Sequence, residues 1–271
     1  MYIYIRKRTL WVIAFSFIII ISSILIKLDL KPKAITTDSP SKAYIALVID
    51  DIGDYDRDGL EELINLDIPL TGAIMPFLEN TASDAETCYK AGLEIILHLP
   101  MEATKGSVKW LGPRPIITGE SNEEVREIVE DALKEVKYAK GINNHMGSKV
   151  MQDNRIMTEV LNIVKEKNLF FLDSRTGEFS VAEELCQELN IEYLTRDVFL
   201  DHIKKEKNIE EAMDMLGNIA LKKGYAIGIG HVGGQGGEIT MKIIDKKSKE
   251  LKKKGIEFIY LSEIKNIINK E

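Results

Sequence analysis

The segment ALVIDDIGDYDRDG, residues 46–59, joins an apolar run to five aspartates within nine residues. Carboxylates that lie close together repel one another, and removing them from water costs free energy. Such a cluster indicates a bound cation, a catalytic carboxylate pair or a solvated turn. The spacing from Asp54 to Gly59 also fits the start of a calcium loop, but Asn65 stands where a bidentate glutamate is expected.

Polar residues with catalytic potential recur directly after apolar runs that predict strands. Three of the four histidines in the chain lie at such points. The predicted strands and the residues at their ends are 44–49 with Asp50 and Asp51, 94–98 with His98, 141–144 with Asn144 and His145, 169–172 with Asp173, and 225–229 with His231. Because the carboxyl ends of parallel strands meet at one rim, these groups are expected to share a metal or acid–base site.

Short apolar runs alternate with helical patterns from residue 44 onward. The clearest helix is SNEEVREIVEDALKEVKYA, where Ser121 and Glu124 have the spacing of a capping box. Many of the predicted strands are continuously apolar, which is typical of a parallel sheet buried on both faces. The alternation therefore predicts an α/β fold, a distorted (β/α) barrel of about seven strands.

The N-terminus has the features of a membrane segment. Arg6, Lys7 and Arg8 precede an apolar run from Leu10 to Ile26, which is close to the lower limit of roughly 17 residues for spanning a bilayer. No Ala-x-Ala cleavage site follows, so an uncleaved anchor is favoured over a secreted form. The basic residues place the rest of the chain outside the cytoplasm. The expected division is a basic cytoplasmic segment at 1–9, a transmembrane anchor at 10–27, a linker at 28–43 and a catalytic domain at 44–271.

Composition excludes some partners. The net charge is −7 and the sequence pI is about 5.4, so no broad basic surface is expected and nucleic acid is not a predicted partner. Cys88 and Cys186 lie in helical patterns, which favours two buried thiols, although a disulfide stays open for an exported protein. The oligomeric state is not predicted.

Six motifs occur in a fixed order: LVIDD, LHLPME, NNHMGSK, FFLDSRT, RDVFLD and IGIGHV. Together they resemble the divergent polysaccharide deacetylase family, distant relatives of the NodB-type carbohydrate deacetylases. The resemblance covers roughly residues 44–262. It implies a distorted (β/α) barrel, a divalent metal and the deacetylation of N-acetylated sugars in a cell-envelope polysaccharide.

The resemblance also implies roles for individual residues. Asp50 matches the general base of NodB-like enzymes and Asp51 a metal ligand. His231 matches the general acid that gives a proton to the departing amine. Asp173 matches an aspartate that orients a catalytic histidine, and Arg175 is expected to hold that aspartate or a substrate oxygen.

The chain departs from the NodB pattern after the third strand. NodB-like enzymes have His-x-x-x-His at this point, but Glu102 stands in place of the second histidine. Either Glu102 or His145 must then supply the third ligand. The favoured ligand set is Asp51, His98 and His145, with zinc as the expected metal because imidazole suits it. Glu102 is then expected in a supporting or substrate-facing position.

Further polar residues are expected to contact the substrate or to support the site. They are Glu102, Asn144, Ser174, Arg196 and Asp201. Two other functions remain open. One is another metallohydrolase on the same barrel, such as a phosphoesterase or an amidase. The other is a catalytically silent envelope protein that binds glycans or a partner, which the change to Glu102 would explain.

Overall fold

The computed structural model describes residues 42–234 and 236–268. The predicted segments 1–9 and 10–27 and most of the linker 28–43 lie outside these residues, and the membrane anchor and the domain division stay predictions. Within the described residues, no helix is both long enough and apolar enough to cross a bilayer.

The described chain forms a parallel sheet of nine strands. The strands are β1 Ala43–Ile52, β2 Thr71–Ile74, β3 Glu94–Met101, β4 Ala139–Met146, β5 Phe170–Asp173, β6 Tyr193–Thr195, β7 Val198–Phe199, β8 Tyr225–His231 and β9 Ile256–Ile259. Their order in the sheet is β6-β5-β4-β3-β2-β1-β8-β7, and β9 pairs with β1. The sheet is a curled half-barrel in which β1 pairs with three strands, β2, β8 and β9.

Helices connect the strands because parallel neighbours require crossover connections. The α-helices are α1 Leu60–Ile64, α2 Thr81–Lys90, α3 Asn122–Glu135, α4 Asn154–Glu166, α5 Ala182–Leu189, α6 Glu206–Lys223, α7 Gly237–Lys253 and α8 Ile264–Ile268. Short 3₁₀ helices lie at Val108–Leu111, Val150–Gln152 and Leu261–Glu263. The predicted capping box of α3 is confirmed, since Ser121 and Glu124 each accept the other's backbone N–H.

Both faces of the sheet are buried. Along β1, Ile45, Leu47 and Ile49 belong to the apolar cluster that includes the helices. Ala46 and Val48, on the other face of the strand, belong to a second cluster that the C-terminal segment also enters. This double burial explains why the strands are continuously apolar in sequence.

The prediction of a barrel-like parallel α/β fold is confirmed at this level, with differences in detail. The sheet has nine strands rather than about seven, and one of them, β7, has only two residues and leaves no periodic pattern to detect. The expected ends of two strands were too early, since β3 continues to Met101 and β4 to Met146. His98 and His145 therefore lie within strands. Cys88 and Cys186 are buried free thiols.

The start of α7 packs directly against the loop that follows β1. A Cβ atom added at Gly237 would lie 2.1 Å from the Asp58 carbonyl oxygen and 2.9 Å from Val232 Cα. These are backbone atoms, so the contact cannot be relieved by rotating a side chain.

We expect Gly237→Ala to lower the free energy of unfolding by about 2–3 kcal/mol, measured by urea denaturation, because the added methyl group overpacks this contact. Gly119→Ala is the matched control, since nothing lies within 4 Å of its added Cβ atom. Equal stability of the two variants would contradict the close approach of α7 to the Asp58 loop.

Candidate metal and acid–base site

Two consecutive carboxylates of β1 reach the same cavity because the backbone turns between them. Asp51 has a φ of 66°, in the left-handed region. The pairing of β1 with β2 shifts register between Ile49 and Ile52, as expected for a bulge. In a regular strand, Asp50 and Asp51 would point to opposite faces. The bulge instead lets both line a cavity of about 480 Å³.

Three donor atoms from three strands converge beside this bulge. Asp51 Oδ1 lies 3.3 Å from His98 Nε2 and 3.0 Å from His145 Nδ1. The two imidazole nitrogens lie 3.1 Å apart. The structure therefore brings together the residues predicted as metal ligands, one from each of β1, β3 and β4.

Asn143 holds two members of the site in place. Its Oδ1 lies 2.8 Å from His98 Nδ1, and its Nδ2 donates to Asp50 Oδ1 at 3.0 Å and to Ser174 Oγ at 3.2 Å. A carbonyl oxygen only accepts, so the proton of His98 is on Nδ1 and the lone pair of Nε2 faces Asp51. Asn143 is fully buried, so these orientations are fixed before any ligand binds.

The donor set fits a divalent cation. Asp51 Oδ1 is buried and accepts no hydrogen bond within the described residues. Burial alone would raise the pKa of Asp51, but its contacts with His145 and His98 hold the pKa well below the usual range, so the carboxylate is ionised. A tetrahedral ion with bonds of roughly 2.0–2.1 Å holds its ligand atoms roughly 3.3 Å apart. Two imidazoles and a carboxylate suit zinc and related ions and leave a coordination position open.

His231 lines the same cavity and is paired with the buried carboxylate of Asp201. Asp201 Oδ1 lies 2.7 Å from His231 Nδ1, while its Oδ2 accepts the His231 backbone N–H at 2.8 Å and the Thr240 hydroxyl at 3.0 Å. Burial by itself lowers the pKa of His231, but the hydrogen bond and charge of Asp201 outweigh it and raise the pKa to about 9. The imidazole is therefore charged at neutral pH and its Nε2–H is free to donate.

Asp50 lies beside His231, because the two residues are partners in the β1–β8 ladder. Asp50 is 2% exposed. Burial raises its pKa above the ordinary value, although His98, His231 and Asn143 partly offset this effect. A carboxylate whose pKa is raised towards neutrality is a better proton acceptor than an exposed one.

The expected contact between Asp173 and a catalytic histidine is absent from the described structure, and this expectation is corrected. Asp173 Oδ1 accepts the backbone N–H of Arg175 at 2.7 Å and its Oδ2 accepts the Tyr193 hydroxyl at 3.1 Å. One oxygen is therefore used at the turn after β5 and the other by β6, and Asp201 takes the position beside His231. Arg175 holds the aspartate through its backbone rather than its guanidinium.

The remaining predicted residues, Arg196, Asn144 and Ser174, form hydrogen bonds in and beside the wall of the cavity. Arg196 donates to the carbonyl oxygens of Ser174 and Arg175 at 2.7 and 3.0 Å, and its guanidinium carbon lies 3.6 Å from the Phe199 ring centroid. Asn144 accepts the Ser174 N–H at 2.9 Å and donates to Thr176. Ser174 and Asn144 line the cavity, whereas Arg196 fixes the turn behind it.

Glu102 lies apart from the three donor atoms. Its carboxylate accepts from Lys149 Nζ at 2.7 Å and from Thr118 N and Oγ1 at 2.9 and 2.7 Å. The Lys149 contact, followed by the Thr118 bonds, lowers the pKa of Glu102 to about 2. The carboxylate is committed to joining two loops, so His145 rather than Glu102 completes the donor cluster.

Some residues at the site were missed by sequence reasoning. Asn143, which contacts both Asp50 and His98, lies two positions before His145, so the alternation of strand side chains places them on one face and could have identified it. Phe199 and Lys105 line the cavity but follow no recognisable pattern in sequence. The cavity is lined by Asp50, Asp51, His98, Ala103, Lys105, Asn144, His145, Met146, Ser148, Ser174, Thr176, Phe199 and His231.

Comparison with known proteins places this arrangement in a family. Residues 47–265 match the profile of the divergent polysaccharide deacetylase family, and the chain belongs to that family. An uncharacterized protein of Haemophilus influenzae is 31% identical over 196 residues, 72% of this chain and 69% of that protein. The uncharacterized protein YibQ of Escherichia coli is 31% identical over 188 residues, 69% of this chain and 58% of that protein. The chain thus spans little more than half of YibQ.

Solved structures share the fold at low sequence identity. An uncharacterized protein of Agrobacterium tumefaciens C58 has a TM-score of 0.76 and 21% identity, covering 83% of this chain and 90% of that one. A CE4 family pseudoenzyme of Bacillus anthracis has a TM-score of 0.52 and 12% identity, with coverages of 83% and 66%. A family 4 carbohydrate esterase of Streptomyces lividans, in complex with acetate, has a TM-score of 0.50 and 13% identity, with coverages of 80% and 91%. The fold is therefore that of the CE4 deacetylases.

We expect His145→Ala, like Asp51→Ala and His98→Ala, to weaken zinc binding by more than about 100-fold, measured by competition with a chromophoric chelator. Each change removes one of the three converging donors. Asn143→Ala is expected to weaken binding roughly 10- to 100-fold, the usual cost of losing a group that orients a ligand.

Glu102→Gln is the matched control because Glu102 is the other candidate for the third donor. It is expected to bind zinc within about threefold of the unaltered protein, since its carboxylate is already paired with Lys149. Loss of zinc from Glu102→Gln, with retention by His145→Ala, would reverse the assignment.

Proposed function

We propose that the chain is a metal-dependent hydrolase that removes acetyl groups from N-acetylated sugars of a polysaccharide. One observation carries the proposal: the three converging donors, Asp51, His98 and His145, share a cavity with a buried carboxylate and a charged imidazole. The family to which the chain belongs and the acetate-bound esterase of the same fold support acetyl transfer to water as the reaction.

A divalent ion held by Asp51, His98 and His145 would supply polarisation of the acetamide carbonyl and a lowered pKa for a coordinated water molecule. The chain's own contribution is the arrangement around those donors. Asn143 keeps the Nε2 lone pair of His98 directed towards Asp51 and holds Asp50 by a separate hydrogen bond. The cavity is thus ordered by hydrogen bonds from buried groups.

Asp50 is the proposed general base. Its Oδ2 lies 3.6 Å from His98 Nε2, so the carboxylate is adjacent to the donor cluster without belonging to it. One oxygen is held by Asn143, which leaves the other to accept a proton from the attacking water. Burial, which raises the pKa of Asp50, makes this acceptance more favourable.

His231 is the proposed general acid. Asp201 accepts from Nδ1, so the proton on Nε2 is available to the nitrogen that leaves the acetyl carbon. Asp201 positions the ring and stabilises its charge, the role that the resemblance assigned to Asp173. Asp50 and His231 lie on neighbouring strands and line one cavity, so proton acceptance and proton donation occur on adjacent sides of the same substrate group.

The alternative of a silent binding protein loses its main argument. The change from histidine to Glu102 suggested a missing ligand, but His145 provides a donor atom at 3.0 Å from Asp51. The Bacillus anthracis neighbour is named a pseudoenzyme, and at 12% identity this likeness concerns the fold alone.

We also propose that the domain acts outside the cytoplasm, carried by the predicted anchor at 10–27.

Asp50→Asn is expected to lower the rate of acetate release about 10²- to 10⁴-fold while zinc binding stays within about tenfold, because the variant removes a proton acceptor and no donor atom. Acetate release from chitooligosaccharide and peptidoglycan fragments, measured enzymatically, checks the rate. Asp54→Asn, in the same acidic segment but exposed, is the control and should keep its activity. Full turnover by Asp50→Asn would remove Asp50 as the base. Phosphate release from a simple phosphate ester, such as p-nitrophenyl phosphate, without acetate release from the glycans would replace the deacetylase proposal with a phosphoesterase.

We expect Asp201→Asn to move the basic limb of the pH profile of kcat/KM to lower pH. His231 must be protonated to donate, so activity should fall as pH rises through its pKa of about 9. Without the negative charge of Asp201, the effect of burial dominates and the pKa decreases, by about one unit or more. Asp197→Asn is the control, because Asp197 bonds Ile227 N and Lys223 rather than His231. An unmoved limb in Asp201→Asn would show that His231 is not the acid.

A further inference from the structure

The cavity beside the three donor atoms contains an ammonium group that the proposed reaction does not use. Among the described residues that line the cavity, Lys105 is the only lysine or arginine. It lies in the loop between β3 and the 3₁₀ helix Val108–Leu111. Sequence reasoning did not identify it, because a lysine in a polar loop is unremarkable until the loop is placed against a cavity.

The positive charge of Lys105 is not matched by the protein. Its neighbour across the loop, Lys149, is paired with Glu102 at 2.7 Å. In the part of the chain that the structure describes, no carboxylate lies within ion-pair distance of Lys105 and its ammonium donates no hydrogen bond. The other ionisable groups that line the cavity already have partners in the donor cluster or in the acid–base pair.

The backbone that carries Lys105 is held against the cavity wall. Thr104 N donates to Ser148 Oγ at 3.0 Å, and the two hydroxyls of Thr104 and Ser148 lie 3.1 Å apart. Ser148 itself lines the cavity. The carbonyl oxygen of Glu102, in turn, accepts two backbone N–H groups of the Lys149–Val150 turn at 3.1 Å. Only the side chain of Lys105 remains free to adjust to a ligand.

A second cation lies in the turn that follows β5. Ser174 and Thr176 of this turn line the cavity, whereas Arg175, which lies between them with φ of 50°, does not. The Arg175 side chain is exposed and has no carboxylate partner among the described residues. The turn packs against Ser148, the residue that bonds Thr104 of the Lys105 loop, since a Cβ atom at Gly177 would lie 3.1 Å from Ser148 Cβ.

We propose that the wall formed by Lys105, Ser148 and Thr176, with Arg175 at its edge, binds a carboxylate carried by the saccharide substrate. This inference rests on the proposed function and narrows it to N-acetylated sugars that bear, or adjoin, an acidic substituent. We call this surface the cationic wall. It lies on the β3–β4 side of the cavity, whereas His231 and Phe199 form the β8 side.

The charge of Lys105 favours this assignment. A neutral acetamido sugar offers its ammonium group only hydroxyl and carbonyl oxygens as acceptors. A carboxylate on the substrate neutralises that charge and accepts charge-assisted hydrogen bonds from Lys105, which are stronger than those to a neutral oxygen. Lysine presents a compact point charge rather than a planar fork, so a phosphate on the sugar has the same chemistry and must be tested as a separate source of the negative charge.

The test compares substrates that differ only in this charge. The full chain, loaded with zinc, is given a glycan tetramer of alternating N-acetylglucosamine and N-acetylmuramic acid, and the same tetramer with its lactyl carboxylates converted to amides. We expect the carboxylate form to have a KM roughly three- to tenfold lower, with kcat little different. The preference should shrink as salt rises from about 20 mM to about 500 mM. A phosphorylated N-acetylglucosamine oligomer forms the third arm.

Lys105→Ala should reduce the ratio of kcat/KM for the carboxylate and amide forms towards one, and Lys105→Glu should invert it. Lys105→Arg should keep it. Lys109→Ala is the matched control, an exposed lysine of the 3₁₀ helix that follows this loop, and it does not line the cavity. It should keep the unaltered ratio. Arg175→Gln in the Lys105→Ala background should remove any preference that is left.

Failure of this inference and failure of the proposed function give different results. Acetate release with equal ratios in the unaltered chain and Lys105→Ala would overturn the cationic wall and leave the deacetylase intact. A preference confined to the phosphorylated oligomer would replace the carboxylate with a phosphate. If no acetate is released, saturation-transfer NMR of the carboxylate and amide tetramers still measures binding. Equal binding of the two forms would then overturn the inference as well.

Discussion

The backbone turn at Asp51 brings two consecutive carboxylates of one strand into one cavity, and the rest of the site depends on it. A β-strand separates neighbouring side chains by its pleat, so a metal donor and a proton acceptor at successive positions require a local break. The left-handed φ of Asp51 and the register shift that follows provide that break. The left-handed backbone conformation of a non-glycine residue is unfavourable, and the pairing of β1 with strands on both sides offsets this cost.

The turn at Asp51 brings charged side chains together away from water, which costs free energy. Hydrogen bonds from the surrounding residues offset that cost. Asp50 and His98 lie in the interior, and Asp51 lies half-buried beside them. The amide of Asn143 satisfies one oxygen of Asp50 and fixes the tautomer of His98. Asp201 balances His231 by accepting two hydrogen bonds from it, and it accepts a third from the Thr240 hydroxyl. What remains unbalanced is Asp51 Oδ1 facing two ring nitrogens. Three potential donor atoms, one of them an ionised carboxylate oxygen, lie within 3.3 Å of one another, which is why this cluster is read as a metal site.

The fold and the donor set could be predicted from the sequence to different extents, and the reasons for this difference are physical. Continuous apolar runs revealed the strands, and the order of motifs indicated which residues lie on one rim. The ends of the strands were harder to predict from the sequence, because polar residues such as Asn143 and His145 continue the β4 ladder after its apolar part has ended. The partner of His231 could not be found from sequence because it depends on β7, a strand of two residues. The hydrogen bond from Leu200 N to the Ile229 carbonyl sets the register that places Asp201 beside His231.

Glu102, which stands where the NodB pattern has a second histidine, lies outside the cluster of Asp51, His98 and His145. Glu102 is the residue after β3, where its carboxylate bonds Thr118 and Lys149 and its carbonyl oxygen bonds the turn after β4. It therefore joins the β3 loop to β4, the strand that carries His145. In the β3–β4 ladder Asn143 is opposite His98 and His145 is opposite Pro100, so the proposed donor His145 lies two positions beyond the residue that orients His98. Glu102 thus stabilises the strand that carries the proposed third donor.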